Sequence, residues 1–430
     1  FKEKIKMDFL RIIFEHIGNR IFILFKWVIF AIVTSLVVGF ISSIFYILVQ
    51  GATSLRMLHP IIITMLPIAG LFIAFIYRKF DGANKQGTNL VLASISANKK
   101  IPIKMLPLIF VSTIVTHLFG GSVGREGAAL QIGGSLGNFF GNIFKFDDKD
   151  RHVVIMCGMT AAFTSLFGTP MAATIFSMEV ISVGIMHYSA LVPCAVAALV
   201  SKGVSSIFEI SSESFTVSQI PELSVISSGK IFLLAILCAG VSVVFCIILH
   251  KTEHLFRKHL RNHYLRILVG GFIVLALTYI VYKLTGETLY NGAGMDIISR
   301  AIDNGRTNWY DFTLKMIFTA ITIAAGYRGG EIVPSFFVGA TFGCLFGNII
   351  GLSPSLCAAV GLISVFCGVT NCPITSLLIG FELFGTDGLP YYLLAVSVSY
   401  MLSGYYGLYQ SQKIVYSKYK SEYINTNTHK

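Results

Sequence analysis

Long apolar runs separated by short polar loops dominate this chain. Residues 21–50 form one unbroken hydrophobic segment, and residues 59–77 form a second. An α-helix needs about 20 apolar residues to cross the hydrocarbon core of a bilayer, so each segment is long enough to span it. The pattern predicts an all-α polytopic protein that crosses the cell membrane several times.

Other apolar runs are too short to cross a bilayer, because glycine or proline interrupts them. The segment that opens at Gly87 is one of these, and the runs around Pro170, Pro334 and Pro373 are others. Broken helices are tolerated at membrane depth only where their exposed backbone lines a protected or water-filled cavity. Short, tilted and broken helices of this kind are typical of transporter and channel sites.

The sequence also repeats itself. Residues 158–180 align without a gap with residues 361–383, so that Glu179 falls on Glu382. Residues 128–137 likewise align with residues 334–343. The convergence of short helices favours repeats of inverted topology. For the repeat-equivalent glutamates Glu179 and Glu382 we expect a structural role.

The repeat divides the chain into five predicted parts. These are a cytoplasmic amphipathic helix at residues 1–20, a first membrane repeat at 21–206, an extracellular linker at 207–229, a second membrane repeat at 230–410 and a cytoplasmic tail at 411–430. The first part is basic and amphipathic, as interfacial helices are. The linker carries acids and no bases in its most polar stretch, which suits the outer face.

Charge and cysteine usage narrow the class further. The net charge of +12 comes from lysines and arginines clustered in short loops, as the positive-inside rule predicts, so nucleic acid is not an expected partner. The eight cysteines show no CxxC spacing, and we expect neither a metal nor another cofactor. The pairs His250/His254 and His259/His263 have a spacing that could bind a metal, but their Lys/Arg-rich segment is typical of a solvated helix end.

The dipeptide Arg125–Glu126 is the most unusual polar feature of the chain. It lies between Gly124 and Gly127, just before an apolar run. An ionisable group at membrane depth is costly and is therefore a functional candidate. The glycines suggest a backbone break that points a helix N-terminus at an anion. The alternative is that the two side chains only cap and pair at a loop.

At these positions the chain resembles the CLC family of anion channels and anion/proton antiporters, over about residues 25–410. GREG at 124–127 resembles the gating-glutamate motif of the family, and GGEIVP at 329–334 resembles its GxFxP motif. GYYGLYQSQ at 404–412 carries a tyrosine where the family has its pore tyrosine. GTNL at 87–90 lies where the family motif GSGIP is expected. The resemblance implies the CLC fold, with two inverted repeats, and a homodimer with one pore per subunit in a lipid bilayer.

The resemblance also assigns roles. It implies that Glu126 and Glu331 serve in gating and proton transfer, and that Thr88, Gly124, Arg125, Gly127, Ile332, Val333 and Tyr409 bind the anion. Helix N-termini opening at Thr88, after Gly127 and at Val333 would supply backbone amides and partial positive charge. Glu331 could instead only cap its helix, Arg125 and Glu126 could only pair, and Tyr409 could be an interfacial aromatic.

Departures from the family pattern favour fluoride as the transported ion. Glu331 precedes the position of the GxFxP phenylalanine, where this chain has Ile332, and Val180 replaces the inner glutamate of the chloride exchangers. The added glutamate resembles the fluoride/proton antiporter branch, and the valine fits that branch or a channel and speaks against the classical chloride/proton exchanger. Thr88 matches neither the family serine nor its usual replacements in that branch. A chloride channel or chloride/proton exchanger of the same fold is therefore the alternative.

A serine hydrolase within the membrane is an alternative from a different class. Gly120, Ser122 and Gly124 spell GxSxG, and His117 is near in sequence. That motif requires a strained strand-to-helix turn and a histidine partner. Nothing else in the sequence supports a catalytic triad, so we expect a transporter and not an enzyme.

Overall fold

The computed structural model describes residues 2–80 and 87–428, with side chains from His16 onward. Its helices in the first half are α1 (Lys2–Leu58), α2 (Leu66–Phe80), α3 (Thr88–Ser96), α4 (Met105–Leu118), α5 (Glu126–Ile143), α6 (Asp148–Phe167), α7 (Pro170–Glu179) and α8 (Leu191–Ile207). Those in the second half are α9 (Val225–His259), α10 (His263–Thr285), α11 (Met295–Asp303), α12 (Asp311–Ala325), α13 (Ile332–Ile350), α14 (Pro354–Thr370), α15 (Pro373–Phe384) and α16 (Leu389–Leu402).

The predicted polytopic helical architecture is confirmed. Within the described residues, six helical stretches are long and apolar enough to cross a membrane, while α4, α14, α15 and α16 are shorter apolar helices. A small sheet that the sequence did not indicate joins β1 (Ser182–Val183), β2 (Lys413–Tyr416) and β3 (Tyr423–Asn427). In it, β2 pairs parallel to β1 and antiparallel to β3. The chain after Tyr409 is therefore anchored to the first repeat.

Two expectations fall partly on undescribed residues. Helix α1 runs without a break from Lys2 to Leu58, so the boundary predicted between residues 20 and 21 does not coincide with a helix end. The side chains of residues 1–15 lie outside the described ones, and the amphipathic character of the first 20 residues stays a prediction. The sequence also predicts a basic loop from Arg78 to Gln86, but Arg78 and Lys79 form the last turn of α2, and residues 81–86 lie outside the described residues.

One face of the molecule collects the basic segments, and we call it the basic side. It carries residues 99–104, 145–151 and 250–263 and the C-terminal tail. Contacts beside these segments connect them: His152 contacts Asn98 at 2.6 Å, and His250 contacts the Gly407 carbonyl at 2.9 Å. His187, which follows β1, is within electrostatic reach of His152, and β1 pairs with β2 of the tail.

The two repeats run in opposite directions relative to this face. Helix α5 ends on the basic side, where Phe144 packs edge-on against Phe30 in the first part of α1. Helix α13, its repeat equivalent, ends on the opposite side, where Lys230 at the start of α9 donates to the Gly351 carbonyl at 3.2 Å. Both helices begin inside the molecule. The repeats are therefore inverted, as the broken helices suggested.

Glycine pairs let the helices of each repeat cross with their backbones in contact. A Cβ added at Gly158 on α6 would overlap the carbonyl oxygen of Gly133 on α5. The equivalent pair in the second repeat, Gly361 on α14 and Gly339 on α13, shows the same overlap. Small residues at such crossings allow the close approach on which helix packing in membranes depends. The crossings fix the positions of α5 and α13, whose first turns form the site described below.

Glu179 and Glu382 hold the repeats together by capping each other's helices. The Glu179 carboxylate, at the end of α7, accepts from the Ile374 and Thr375 amides at 3.1 and 2.9 Å. The Glu382 carboxylate accepts from the Met171 amide at 2.9 Å and from the next amide of α7 at 2.8 Å. A carboxylate stabilises a helix N-terminus through its unpaired N–H groups and its dipole. These reciprocal caps agree with the structural role expected for both residues.

The substitution Gly158→Ala tests the close crossing of α5 and α6. Because its methyl group would overlap the Gly133 carbonyl, we expect a loss of about 1–3 kcal/mol in the free energy of unfolding. The measurement is the thermal unfolding of purified protein in detergent. Gly240→Ala on α9 is the matched control, since a Cβ there meets no heavy atom within 4 Å and should be neutral or stabilising. Equal unfolding temperatures for Gly158→Ala and the unmodified protein would contradict the crossing.

Candidate functional site

A backbone bridge between the two repeats organises the site. Gly124 and Gly330, at equivalent positions just before α5 and α13, each donate an amide to the other's carbonyl at 2.7 Å. The bridge brings the first turns of the two helices together at the centre of the molecule. Gly127 lies against it, and a Cβ there would be 2.8 Å from the Cα of Gly330. A side chain at position 127 would therefore push the first turn of α5 away from Gly330.

Glu126 is buried at this junction. It is the first residue of α5 and is 1% exposed. Its Oε2 accepts from the Arg125 amide at 3.0 Å and shares the space beside Gly124 with the Pro334 ring. Its Oε1 has no hydrogen-bond partner within the described residues, although the Arg125 Nε is 3.6 Å away. Burying a carboxylate with so few donors is costly in its charged form.

A cavity of about 130 Å³, which we call the inner cavity, reaches from the basic side to this junction. Thr88, Glu331 and Tyr409 all line it, so the structure brings these three predicted residues together. Glu331 is the N-cap of α13 and is partly buried. The Tyr409 hydroxyl is buried without a hydrogen-bond partner in the described part of the chain, and the residue lies within electrostatic reach of both Glu331 and Glu126.

The backbone positions predicted to bind the anion lie at the same junction. Ile332 and Val333 are buried in the first turn of α13, and Gly124 and Gly127 flank Glu126. The amides of a first helical turn have no intrahelical partner. Two helix N-termini therefore present donors and partial positive charge to one place, as an anion site requires.

The Thr88 hydroxyl also joins two helices. Its hydroxyl donates to the Gly127 carbonyl at 3.3 Å. Gln131, one turn into α5, donates to Thr88 Oγ1 at 3.2 Å and to the same carbonyl at 3.0 Å. The hydroxyl thus ties α3 to α5 in this structure. Sequence reasoning missed Gln131, although an amide side chain in an otherwise apolar helix was a visible signal.

The C-terminal tail holds Tyr409 in place. The Ser411 amide donates to Asn89 Oδ1 at 3.0 Å, and the Thr428 hydroxyl donates to the Tyr409 carbonyl at 2.8 Å. Gln412, fully buried, donates to carbonyls of both repeats at 2.9 and 2.8 Å. These contacts could not be predicted from the sequence, because those of Ser411 with Asn89 and of Gln412 with Val180 join residues 322 and 232 positions apart.

The Arg125 side chain lies away from Thr88 and Tyr409. Its guanidinium contacts Glu213 at 2.9 Å and lies 4.3 Å from the centre of the Tyr46 ring. It does not line the cavity that contains Thr88 and Tyr409. The acidic partner in the linker and the aromatic face on α1 draw it to the opposite side of the junction. Its backbone amide remains in the site as a donor to Glu126.

A second cavity, of about 510 Å³, lies on that opposite side and is lined by Arg125. We call it the outer cavity. Glu126 lines neither cavity, so it lies between them with its carboxylate shielded from both. The buried side chain of Glu126 thus lies at the partition between the two cavities.

Two alternative sites find little support. Ser122 Oγ pairs with Thr319 Oγ1 at 3.2 Å, and neither ring nitrogen of His117 has a hydrogen-bond partner in the described residues, so no serine–histidine pair forms. No group of three or more metal-ligating side chains is present among the residues that the structure describes. His250 instead contacts the Gly407 carbonyl of the tail.

Comparison with known proteins identifies the family. The family described as voltage gated chloride channel matches residues 69–404. The chain belongs to this CLC family. A relative from Pseudomonas syringae pv. tomato, named chloride/fluoride channel protein, is 32% identical over 92% of this chain and 88% of its own length. The H(+)/Cl(-) exchange transporter ClcA of Vibrio cholerae is 27% identical over 65% of this chain and 62% of its own.

Solved CLC structures have the same fold. A CLC-type fluoride/proton antiporter superposes with a TM-score of 0.86 at 31% identity, covering 91% of this chain and 98% of that one. A slow cyanobacterial Cl-/H+ antiporter gives 0.75 at 17% identity, covering 88% of this chain and 94% of the other. These matches confirm the predicted CLC fold and the multi-pass membrane location.

Replacing Gln131 by leucine tests the tie between α3 and α5. The variant loses the donor that serves Thr88 and Gly127. We expect anion affinity to fall roughly fivefold, since a lost buried hydrogen bond costs about 1 kcal/mol. Isothermal titration of the purified CLC protein with fluoride and with chloride measures this. Asn138→Leu is the control, because Asn138 is a buried amide on the same helix that donates to the Ile101 carbonyl, away from the site. Equal affinities for both variants would refute the role.

Proposed function

We propose that this CLC protein exports fluoride across the cell membrane in exchange for protons that move inward. The observation that carries the proposal is the position of Glu126, buried between two separate cavities at the meeting point of two helix N-termini. A carboxylate there can compete with an anion for the same amides. The proposal assigns the basic side to the cytoplasm, as the positive-inside rule requires.

Exchange follows from the two protonation states of Glu126. The ionised carboxylate carries the charge that the helix ends attract, and so excludes a halide from its place. The protonated side chain is neutral and loses that attraction, so the halide can take the place it leaves. The binding of a proton and the binding of an anion are thus linked at one site. A gradient of one ion can therefore drive the transport of the other. Glu126 is then both the gate and the proton carrier.

Glu331 extends the proton path towards the cytoplasm in this proposal. It lines the inner cavity together with Tyr409, and that cavity opens towards the basic side. Glu331 directly follows Gly330, which forms hydrogen bonds with Gly124, and Gly124 lies two residues before Glu126. The two glutamates are therefore on either side of this backbone bridge. A carboxyl group between Glu126 and the basic side can exchange protons with water in the cavity while α13 keeps its place.

Fluoride as the transported ion rests on two kinds of support. The relative named chloride/fluoride channel protein and the structure of a CLC-type fluoride/proton antiporter both share about a third of their residues with this chain. Fluoride is small and strongly hydrated, so its site must offer many hydrogen-bond donors. The unpartnered hydroxyl of Tyr409 and the first-turn amides of α5 and α13 are suitable donors.

Lipid and a second subunit complete the proposed assembly. Large apolar side chains such as Phe22, Ile61 and Leu199 are 71%, 76% and 66% exposed. Apolar surface of this extent requires a lipid environment or a protein partner. We propose a homodimer with one pore in each subunit, on the resemblance to the family.

The substitution Glu126→Gln should abolish fluoride transport driven by a proton gradient, because glutamine cannot carry a proton. Proteoliposomes with an imposed pH gradient, a fluoride electrode and an internal pH dye measure both fluxes. Glu222→Gln, in the exposed part of the linker, is the control and should transport as the unmodified protein does. Continued uphill pumping by the Glu126 variant would remove Glu126 from the mechanism.

Growth of a bacterium that lacks its own fluoride exporter separates the two candidate ions. We expect expression of this protein to restore growth on fluoride, and expression of Glu126→Gln to give no rescue. The second candidate, a chloride channel or chloride/proton exchanger, is favoured by the threonine hydroxyl at Thr88, in the position of the family serine. Absence of rescue together with robust chloride flux in liposomes would establish that candidate.

A further inference from the structure

The outer cavity contains charged and polar groups that the proposed exchange does not use. Arg125 lines this cavity, whereas Tyr409 lines the inner one, so the outer cavity lies on the side of the molecule opposite the basic side. The charged and polar side chains that line it include the cations Arg56, Arg125 and Arg300, the acids Glu287 and Asp296, and the neutral groups His117 and Asn291. Three of these, Arg56, His117 and Arg125, are among the most buried polar side chains of the chain.

Lys315, directly behind the cavity wall, is a buried cation without an acid. It is 0% exposed, and its ammonium donates to the carbonyls of Gly292 and Tyr290 at 2.7 and 3.3 Å. It lies 5.2 Å from the centre of the Phe337 ring. No ion pair of Lys315 is present among the residues that the structure describes. Its ammonium lies 3.5 Å from where a Cβ of the wall residue Gly294 would be. A buried cation without a counter-charge is strongly unfavourable.

A second buried cation, Arg56, lies beside Lys315. Arg56 is 5% exposed, and its Nη1 donates to the His117 carbonyl at 2.5 Å. Its guanidinium packs against Gly292, the glycine whose carbonyl accepts from Lys315. The acid that acts on it is Asp296, in the first turn of α11. Asp296 therefore acts on Arg56 but forms no ion pair with Lys315 within the described residues, so Lys315 stays without a neutralising acid.

His117 is a buried donor that the Gly124 carbonyl approaches without a well-aligned hydrogen bond. The residue is 1% exposed and lines the cavity, and neither of its ring nitrogens has a hydrogen-bond partner within the described residues. Arg56, Arg125 and Lys315 all act on it electrostatically. A neutral imidazole has one N–H and one acceptor nitrogen, and burial of both without partners is costly. A ligand in the cavity that accepts a hydrogen bond would satisfy the N–H.

The start of α11 adds backbone donors to the same space. Gly294 adopts the left-handed conformation with a φ of 84°, and it turns the chain into the first turn of a helix of 9 residues. Met295 and Asp296 of that turn line the cavity. The N–H groups of a first turn have no intrahelical partner and favour negative charge. Together with the unpartnered His117, they form an anion-binding surface.

We propose that the outer cavity is a binding site for a small monovalent anion, held by His117 and the first turn of α11 and attracted by Arg56 and Lys315. That the ion is the halide under transport rests on the proposed function. The site then holds the halide after it has passed Glu126 and before its release. Arg125 joins the site to the gate, because protonation of Glu126 removes one of its two acidic partners and strengthens its attraction for an anion in the cavity.

Bromide, whose anomalous scattering identifies it in a crystal, tests the site directly. Crystals of the full-length protein soaked in sodium bromide should show an anomalous peak in the outer cavity beside His117. The peak should be absent in Lys315→Met and in His117→Leu and present in Lys283→Met, an exposed lysine at the end of α10 on the same side. Lys315→Met should fold, since methionine fills the same space without an unpaired charge. A cavity without bromide in the unmodified protein would overturn the proposal.

Titration with fluoride in solution provides the second measurement. On a Glu126→Gln background, where exchange is disabled, the Lys315→Met change should weaken binding at one site at least fivefold, and Lys283→Met should leave it unchanged. Unchanged binding in a folded Lys315→Met protein would also overturn the proposal. Bromide in the cavity of a protein that fails to pump fluoride would support the anion site while rejecting fluoride export, so the two failures are distinguishable.

Discussion

The pair of hydrogen bonds between Gly124 and Gly330 is the constraint on which the site depends. It joins the two repeats at the point where α5 and α13 begin, and it fixes both helix N-termini in the interior of the molecule. Unpaired amides are costly inside a membrane unless something negative or polar meets them. Here the Glu126 carboxylate lies beside them and accepts from the Arg125 amide, and the proposed halide takes its place. The bridge thus leaves unpaired amides in the interior, and the proposed halide would accept hydrogen bonds from them.

The rest of the fold keeps this bridge rigid. The glycine crossings of α5 with α6 and of α13 with α14 position the two central helices from outside. The reciprocal caps of Glu179 and Glu382 join α7 to α15 with ordered charge-assisted hydrogen bonds. Every one of these contacts occurs twice, once in each repeat. A scaffold held by symmetric pairs can support side-chain movement at Glu126 without a change in helix positions, which suits a gate that moves one carboxyl group.

The architecture could be predicted well from the sequence, whereas the directions of the side chains could not. Hydrophobic runs, the internal repeat and the GREG motif predicted broken helices, inversion and a buried Glu126, because local pattern decides these features. The direction of the Arg125 side chain depends on Glu213, in a linker far along the chain, and no local pattern encodes that contact. The tie from Gln131 to Thr88 and the sheet after Tyr409 are likewise products of tertiary packing. Long-range pairs of polar groups were therefore the part that required a structure.

Symmetry of the backbone contrasts with asymmetry of the side chains on either side of the bridge. Arg125 and Glu331 occupy equivalent positions, each directly after a bridging glycine, yet they carry opposite charges. Arg125 lines the outer cavity, whereas Glu331 lines the inner one. The same helix geometry therefore presents a fixed cation to one side and a protonatable acid to the other. A fixed cation favours a halide at that side, and an acid favours exchange of protons at its own. The inversion of the repeats thus places two residues of opposite charge at the two cavities.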